Sequence, residues 1–246
     1  MHSASEASVY TSAIGVKIMP EQFDFSAYAQ QIQHTAASLF GPGRRVSELS
    51  GGMQLLCVAV ERDLRRFGES EQSSRIACAP GCGACCVLNV AILFPEAVTI
   101  VSYLRKRFDA QEIAGVTERL SALRRDTDCL DDEERIFLRR NCAFLDEQGS
   151  CMIHPVRPLL CRAVSSTDAS ACHDAIVMAP LDGAPSVEMN LFQKSLMETV
   201  FQAFGQALSD SGLDGRPRRL SGGVCALLEH PELTQRFLSG EKLPSC

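Results

Sequence analysis

Four thiols fall within nine residues in the stretch Cys78-Ala-Pro-Gly-Cys82-Gly-Ala-Cys85-Cys86. A thiolate is a soft ligand that selects zinc, copper(I) and iron–sulfur clusters. Several thiolates converge on one centre only where the backbone between them folds tightly. Gly81 and Gly83 supply the positive-φ freedom such a loop needs and let amide N–H groups approach sulfur. The stretch therefore reads as a metal-binding knuckle.

Further cysteines follow at steps of roughly ten residues, most of them beside a turn or a proline: Cys142, Cys151, Cys161 and Cys172. With Cys78, Cys82, Cys85 and Cys86 they make eight candidate metal ligands. Four thiolates fill a tetrahedral zinc site or hold a [4Fe–4S] cluster, so eight suffice for two such sites or for one centre plus a redox set. Neighbouring side chains diverge, so Cys85 and Cys86 are not expected on one ion. Either more than one metal is held, or one of the pair is spare.

Other residues carry two readings each. His154 follows Cys151 by three residues, a spacing that fits a mixed Cys/His zinc site, but it also precedes Pro155 and can cap the next turn. His173 can replace Cys172 as a ligand or face solvent. Arg157 and Arg162 can balance an anionic thiolate site, or each can pair with a nearby carboxylate. Cys57 lies on an apolar helical stripe and reads as a small buried hydrophobe. Cys129 falls in a turn between helices and reads as incidental.

The elements that must position these residues are mostly helical. Met53, Leu56, Val60, Leu64 and Phe67 recur at three- and four-residue steps within Ser50–Phe67. Pro20–Phe40 and Val187–Leu208 carry similar stripes. Pro95-Glu96 opens a helix to about Phe108, with proline at the favoured first position. Ala110–Arg125 and Asp131–Arg140 read as two more helices, the second acidic at its start and basic at its end as the helix dipole favours. Short helices are expected at Val224–Leu228 and from Pro231 to about Leu238. Val87–Phe94 suits a short strand, and Cys142–Leu145 with Ser150–His154 a hairpin closed over Asp146-Glu147-Gln148-Gly149. Residues 1–20 read as a loose lead-in, 69–75 as a polar linker and 179–185 as a loop. The expected fold is mainly α, with a small irregular cysteine-rich insert and a short β-hairpin. The expected division is an N-terminal helical region over 1–75, the cysteine-cluster domain over 76–175 and a C-terminal helical region over 176–246.

Composition narrows the function. The 246-residue chain is 46% hydrophobic and 22% charged, ordinary for a soluble globular protein. A net charge of −6 argues against a general nucleic-acid binder. The most apolar window, Val87–Leu104, is broken by Asn89, Pro95 and Glu96, so no membrane span is expected. No basic flank leads into an apolar run at the start, and the reading is a cytoplasmic protein. In a reducing compartment twelve cysteines are better explained as ligands or reactive thiols than as disulfides.

The ordered set Cys-x-x-x-Cys-x-x-Cys-Cys, Cys142-Ala-Phe-Leu, Gly149-Ser-Cys151-Met-Ile-His, Arg157-Pro158 and Cys161-Arg162 closely resembles the YkgJ-type cysteine-cluster family of zinc- or iron-chelating proteins. The resemblance covers about residues 76–175. It implies that the cysteines at 78, 82, 85, 86, 142, 151 and 161 are the family's own, with Cys172 matching a later, less regularly placed one. Members are often labelled iron–sulfur oxidoreductases, and a related cluster occurs in flagellin lysine N-methylases. The family implies a metal centre without implying a reaction. Cys78-x-x-x-Cys82-x-x-Cys85 also matches the radical S-adenosylmethionine signature. Against that stand Ala84, where an aromatic is typical, and the lack of strand–helix alternation downstream.

The leading expectation is a protein that binds iron, as a [4Fe–4S] cluster, or zinc through these thiolates, with electrons passing to a partner protein if the centre is redox active. No Gly-x-Gly-x-x-Gly nucleotide fingerprint is present. An enzyme using the cluster, methyltransferase-like or of the radical S-adenosylmethionine type, is the alternative. A metal store or chaperone is a third reading.

Overall fold

A computed structural model describes residues 23–68, 76–178 and 186–244. The expected lead-in over 1–20, the linker over 69–75, the loop over 179–185 and Cys246 lie outside the described residues.

Among the described residues the fold has ten α-helices: α1 (Phe25–Leu39), α2 (Val46–Phe67), α3 (Phe94–Arg107), α4 (Ala110–Thr127), α5 (Asp132–Leu138), α6 (Leu159–Ala163), α7 (Ala169–Met178), α8 (Leu191–Asp210), α9 (Leu220–Glu229) and α10 (Leu233–Leu238). Their starts follow side-chain chemistry. Asp24 Oδ1 accepts the N–H groups of Ser26 and Ala27 at 2.9 Å, which ends the run expected from Pro20 at a capped Phe25. Glu48 reaches back to the N–H of Arg45 at 2.6 Å, so α2 begins four residues before the expected Ser50. Asp168 Oδ1 caps α7 through the N–H groups of Ser170 and Ala171.

Helix α8 is the central post. Its buried stripe of Phe192, Leu196, Val200, Phe204 and Leu208 packs against α1 and α6. Around it, α2 lies on α3, while α3 and α4 pack on α9. Phe40 meets Phe204 with ring centroids 4.6 Å apart, and Phe94 stacks on Phe237 at 4.7 Å. One contiguous core draws on all three expected segments, joining Ile32 and Leu56 to Phe144 and Leu159, and these to Phe204 and Phe237.

The small β component differs in detail from the sequence reading. Residues Ala84–Val87 form a 3-10 turn, and only Ala91–Ile92 (β1) is extended enough to pair. Its partner is Arg218–Arg219 (β2), antiparallel, with Ala91 opposite Arg219 and Ile92 opposite Arg218. The expected hairpin at 142–154 closes through a single bridge between Leu145 and Cys151. Backbone bonds from Asp146 N–H to Ser150 O at 2.9 Å and from Met152 N–H to Phe144 O at 2.8 Å flank the bridge, and Asp146 Oδ1 ties the turn by taking the N–H groups of Gln148 and Ser150. Helix α5 stops at Leu138 because Arg139 adopts a left-handed conformation (φ 53°) and donates to the carbonyl of Val177. No helix among the described residues is long and apolar enough to cross a membrane.

Candidate metal centre

The first knuckle is a pair of consecutive turns. Cys82 N–H donates to Ala79 O at 3.0 Å around Gly81, whose φ of 88° suits glycine. Cys86 N–H then donates to Gly83 O at 2.9 Å, and Leu88 N–H to Cys85 O at 3.1 Å. The second group of cysteines is brought up by backbone contacts. Cys142 N–H donates to Cys86 O at 2.8 Å, joining the two halves of the cysteine pattern directly. Ala77 N–H donates to Ser166 O at 2.8 Å and fixes the entrance of the knuckle beside the lead-in to α7. Helix α7, which carries Cys172, packs on the 3-10 turn that carries Cys85 and Cys86.

Two glycines let the loops touch. Gly149 has φ 73°, and a Cβ there would lie 3.1 Å from the carbonyl oxygen of Gly81. The Asp146–Gly149 turn thus presses on the knuckle with no side chain between them.

Cys161 sits on α6, whose position is fixed from beneath. Glu96 is 3% exposed and accepts two backbone N–H groups, Leu93 at one oxygen and Leu159 at the other, both at 2.8 Å. Burial pushes its carboxyl up to about 7 against the pull of those two N–H groups. Arg162 is buried, pairs with Glu61 and donates to the carbonyls of Arg157 and Pro155. Gln193 on α8 donates to Arg162 O at 2.6 Å.

All eight expected cysteines line one cavity of about 600 Å³. Its remaining wall is largely apolar, with Leu88, Leu120, Leu145, Ile153, Leu160 and Leu220. Cys85 acts electrostatically both on Cys86, Cys142, Cys151 and Cys161 and on Cys78, which is exposed and also feels Cys82 and Cys172. Burial pushes the Cys142 thiol up to about 11 and that of Cys161 well above its ordinary value. Cys85 is the exception. A hydrogen bond from the Cys86 thiol holds it low, with help from the Arg157 guanidinium, and the same contact holds Cys86 high. Among the described residues, no three Cys, His, Asp or Glu side chains close on a single point as they do around one bound ion.

The other expected residues separate. His154 and Arg157 line the cavity, and the Nε of Arg157 is buried without a hydrogen-bond partner. Arg162 and His173 are not among the lining residues, and Arg162 has the carboxylate partner that its second reading allowed. Cys57 lies outside the cavity wall with its thiol pushed up by burial to about 11, and Cys129 is exposed. Sequence reasoning missed Arg135. It sits within the charged run of α5, which reads as a solvated face, yet it is 3% exposed and lines the cavity. Only its place one turn after the capping Asp131, facing inward with the helix, could have singled it out.

Residues 77–179 match the model of the CxxCxxCC family, described as a putative zinc- or iron-chelating domain. No curated protein and no solved structure matches the chain. The match is confined to this segment and supports metal binding there in general. The residues present fit such a metal in kind: thiols from five separate segments face one cavity.

Proposed function

We propose that the chain holds iron as a [4Fe–4S] cluster on thiolates drawn from Cys85, Cys86, Cys142, Cys151 and Cys161, and serves in electron transfer or a redox role with a partner protein. The observation that carries this reading is the gathering of the interior thiols around one cavity. Their spread favours a cluster over a lone zinc ion. Around zinc, four sulfurs stand about 2.3 Å from one centre; in a cluster, each thiolate takes a different iron, and the sulfurs stand farther apart. Arg157, which lines the cavity and acts electrostatically on Cys85 and Cys151, supplies positive charge for thiolates that are anionic when they ligate. Cys78, Cys82 and Cys172 form the outer group, placed to complete the centre or hold a second ion. The eleven cysteines among the described residues are all unpaired, which suits a reducing, cytoplasmic setting.

Anaerobic purification followed by absorbance and elemental analysis tests this. The cluster reading expects a brown protein with iron and acid-labile sulfide in equal amounts. A colourless protein carrying one or two zinc ions would replace it with a structural zinc site.

A further inference from the structure

The cavity is larger than a metal centre requires, and its charge is uneven. Arg135 lines the wall with only 3% of its surface exposed. Its guanidinium makes no hydrogen bond and no ion pair among the described residues, and Nη1 is fully enclosed. Arg219 stands nearby. Its Nη1 donates to Asn89 Oδ1 and Thr127 O and its Nη2 to Leu130 O, all neutral acceptors. Asp132 is spent on the Asn89 amide, and Arg140 is paired with Asp126. The charged groups that act on Arg135 are two further arginines and a single thiol, Cys142.

A buried guanidinium without a partner is costly, since it loses hydration and gains nothing in return. One thiolate at Cys142 does not offset two guanidinium charges. The same cavity is lined by apolar Leu120, Leu123 and Leu220 and by Thr127 and Ser221. A volume of about 600 Å³ with a greasy wall and a few placed polar groups is typical of small-molecule sites.

We propose that the cavity receives a small organic carboxylate with an apolar body, its head group on Arg135 and its body against the apolar lining that includes Leu120, Leu123 and Leu220. A carboxylate fits better than a phosphate, because Arg219 has already committed donors to neutral acceptors and one guanidinium remains to be matched. The inference builds on the metal reading in one respect: the ligand would lie beside the thiolate centre, which makes the cavity a place for chemistry on a bound molecule.

The test is calorimetric titration of the full-length protein as purified with octanoate and 4-phenylbutyrate, with 1-octanol as the uncharged control and metal per chain measured in every sample. Both carboxylates are expected to bind, and octanol at least about tenfold more weakly. Arg135→Gln should weaken both carboxylates by about tenfold or more while leaving octanol binding and metal content unchanged. Should that variant not fold, the ratio of octanoate to octanol affinity in the unaltered protein still decides. Failure of both carboxylates to bind, equal affinity for octanoate and octanol, or unchanged binding in a folded Arg135→Gln protein would overturn the proposal. So would loss of metal from the folded variant, which would assign Arg135 to the thiolates. A protein found without iron or zinc sinks the metal reading alone, since the carboxylate titration is read separately.

Discussion

The N–H of Cys142 donates to the carbonyl of Cys86 at 2.8 Å, so one backbone hydrogen bond ties the knuckle to the later group of cysteines. Cysteines distant in sequence are therefore held together by main chain before any metal is considered. The thiols gain their proximity from the loops, and a metal would add to a site already gathered.

That arrangement divides the cysteines by consequence. Cys161→Ala is expected to remove the cluster and lower stability, and Cys82→Ala to lower metal content, while Cys57→Ala leaves metal content unchanged, as does Cys246→Ala. Elemental analysis of the four purified variants checks this. Equal loss in all four would show that the division is wrong.

Gly149 faces a double constraint. Alanine there must hold φ near 73° and place its Cβ 3.1 Å from Gly81 O. The left-handed conformation alone costs about 1–2 kcal/mol for a residue with a Cβ. Gly149→Ala should lower the unfolding midpoint in urea and weaken metal retention against a chelator, whereas Gly51→Ala, with open space around it, should do neither.

Glu96 predicts a pH dependence whose sign follows from its burial. Its carboxyl rises from 4.5 to about 7 in the folded protein. Between those values the folded state binds a proton that the unfolded chain releases, so stability contributed by this group is full below pH 4.5 and declines as pH rises through 7. Glu96→Gln removes that slope. It also leaves one of the Leu93 and Leu159 N–H groups without an acceptor, at about 1–3 kcal/mol. The variant should be less stable at pH 5, with a gap that narrows toward pH 8. Parallel urea midpoints across that range would contradict the account.

Arg157 and Arg162 should behave differently despite their shared place in the sequence pattern. Arg162→Met leaves the carbonyls of Arg157 and Pro155 without a donor and is expected to destabilise the fold by more than 1 kcal/mol, on the order expected for orphaned buried groups. Arg157→Gln, whose guanidinium has no comparable anchors, should leave thermal unfolding of the metal-free protein nearly unchanged and speed metal loss to a chelator. Equal thermal shifts would remove the distinction.

Much of this was legible beforehand where local rules act alone. The stripe on α2 gives the buried residues Met53, Leu56 and Val60, and Pro95 marks the first turn of α3. The cysteine spacing identified the eight thiols that share the cavity. What was hidden depends on distant partners. Nothing near Ala91 announces that its strand partner is Arg219, and the pattern of α5 gives no sign that Arg135 turns inward. The short hairpin at 142–154 was legible from its turn residues, and it closes on a Leu145–Cys151 bridge over the Asp146 turn.

The pairing of β1 with β2 has a practical consequence for anyone wishing to excise the chelating segment. Residues 77–179 would leave behind β2, which covers the edge of Ala91–Ile92, and α8, against which α6 rests with Cys161. Cut free, the segment would present a bare strand edge and a greasy flank to water. The metal-gripping region is thus a tenant of the whole molecule, and a shortened version invites aggregation before it offers a simpler specimen.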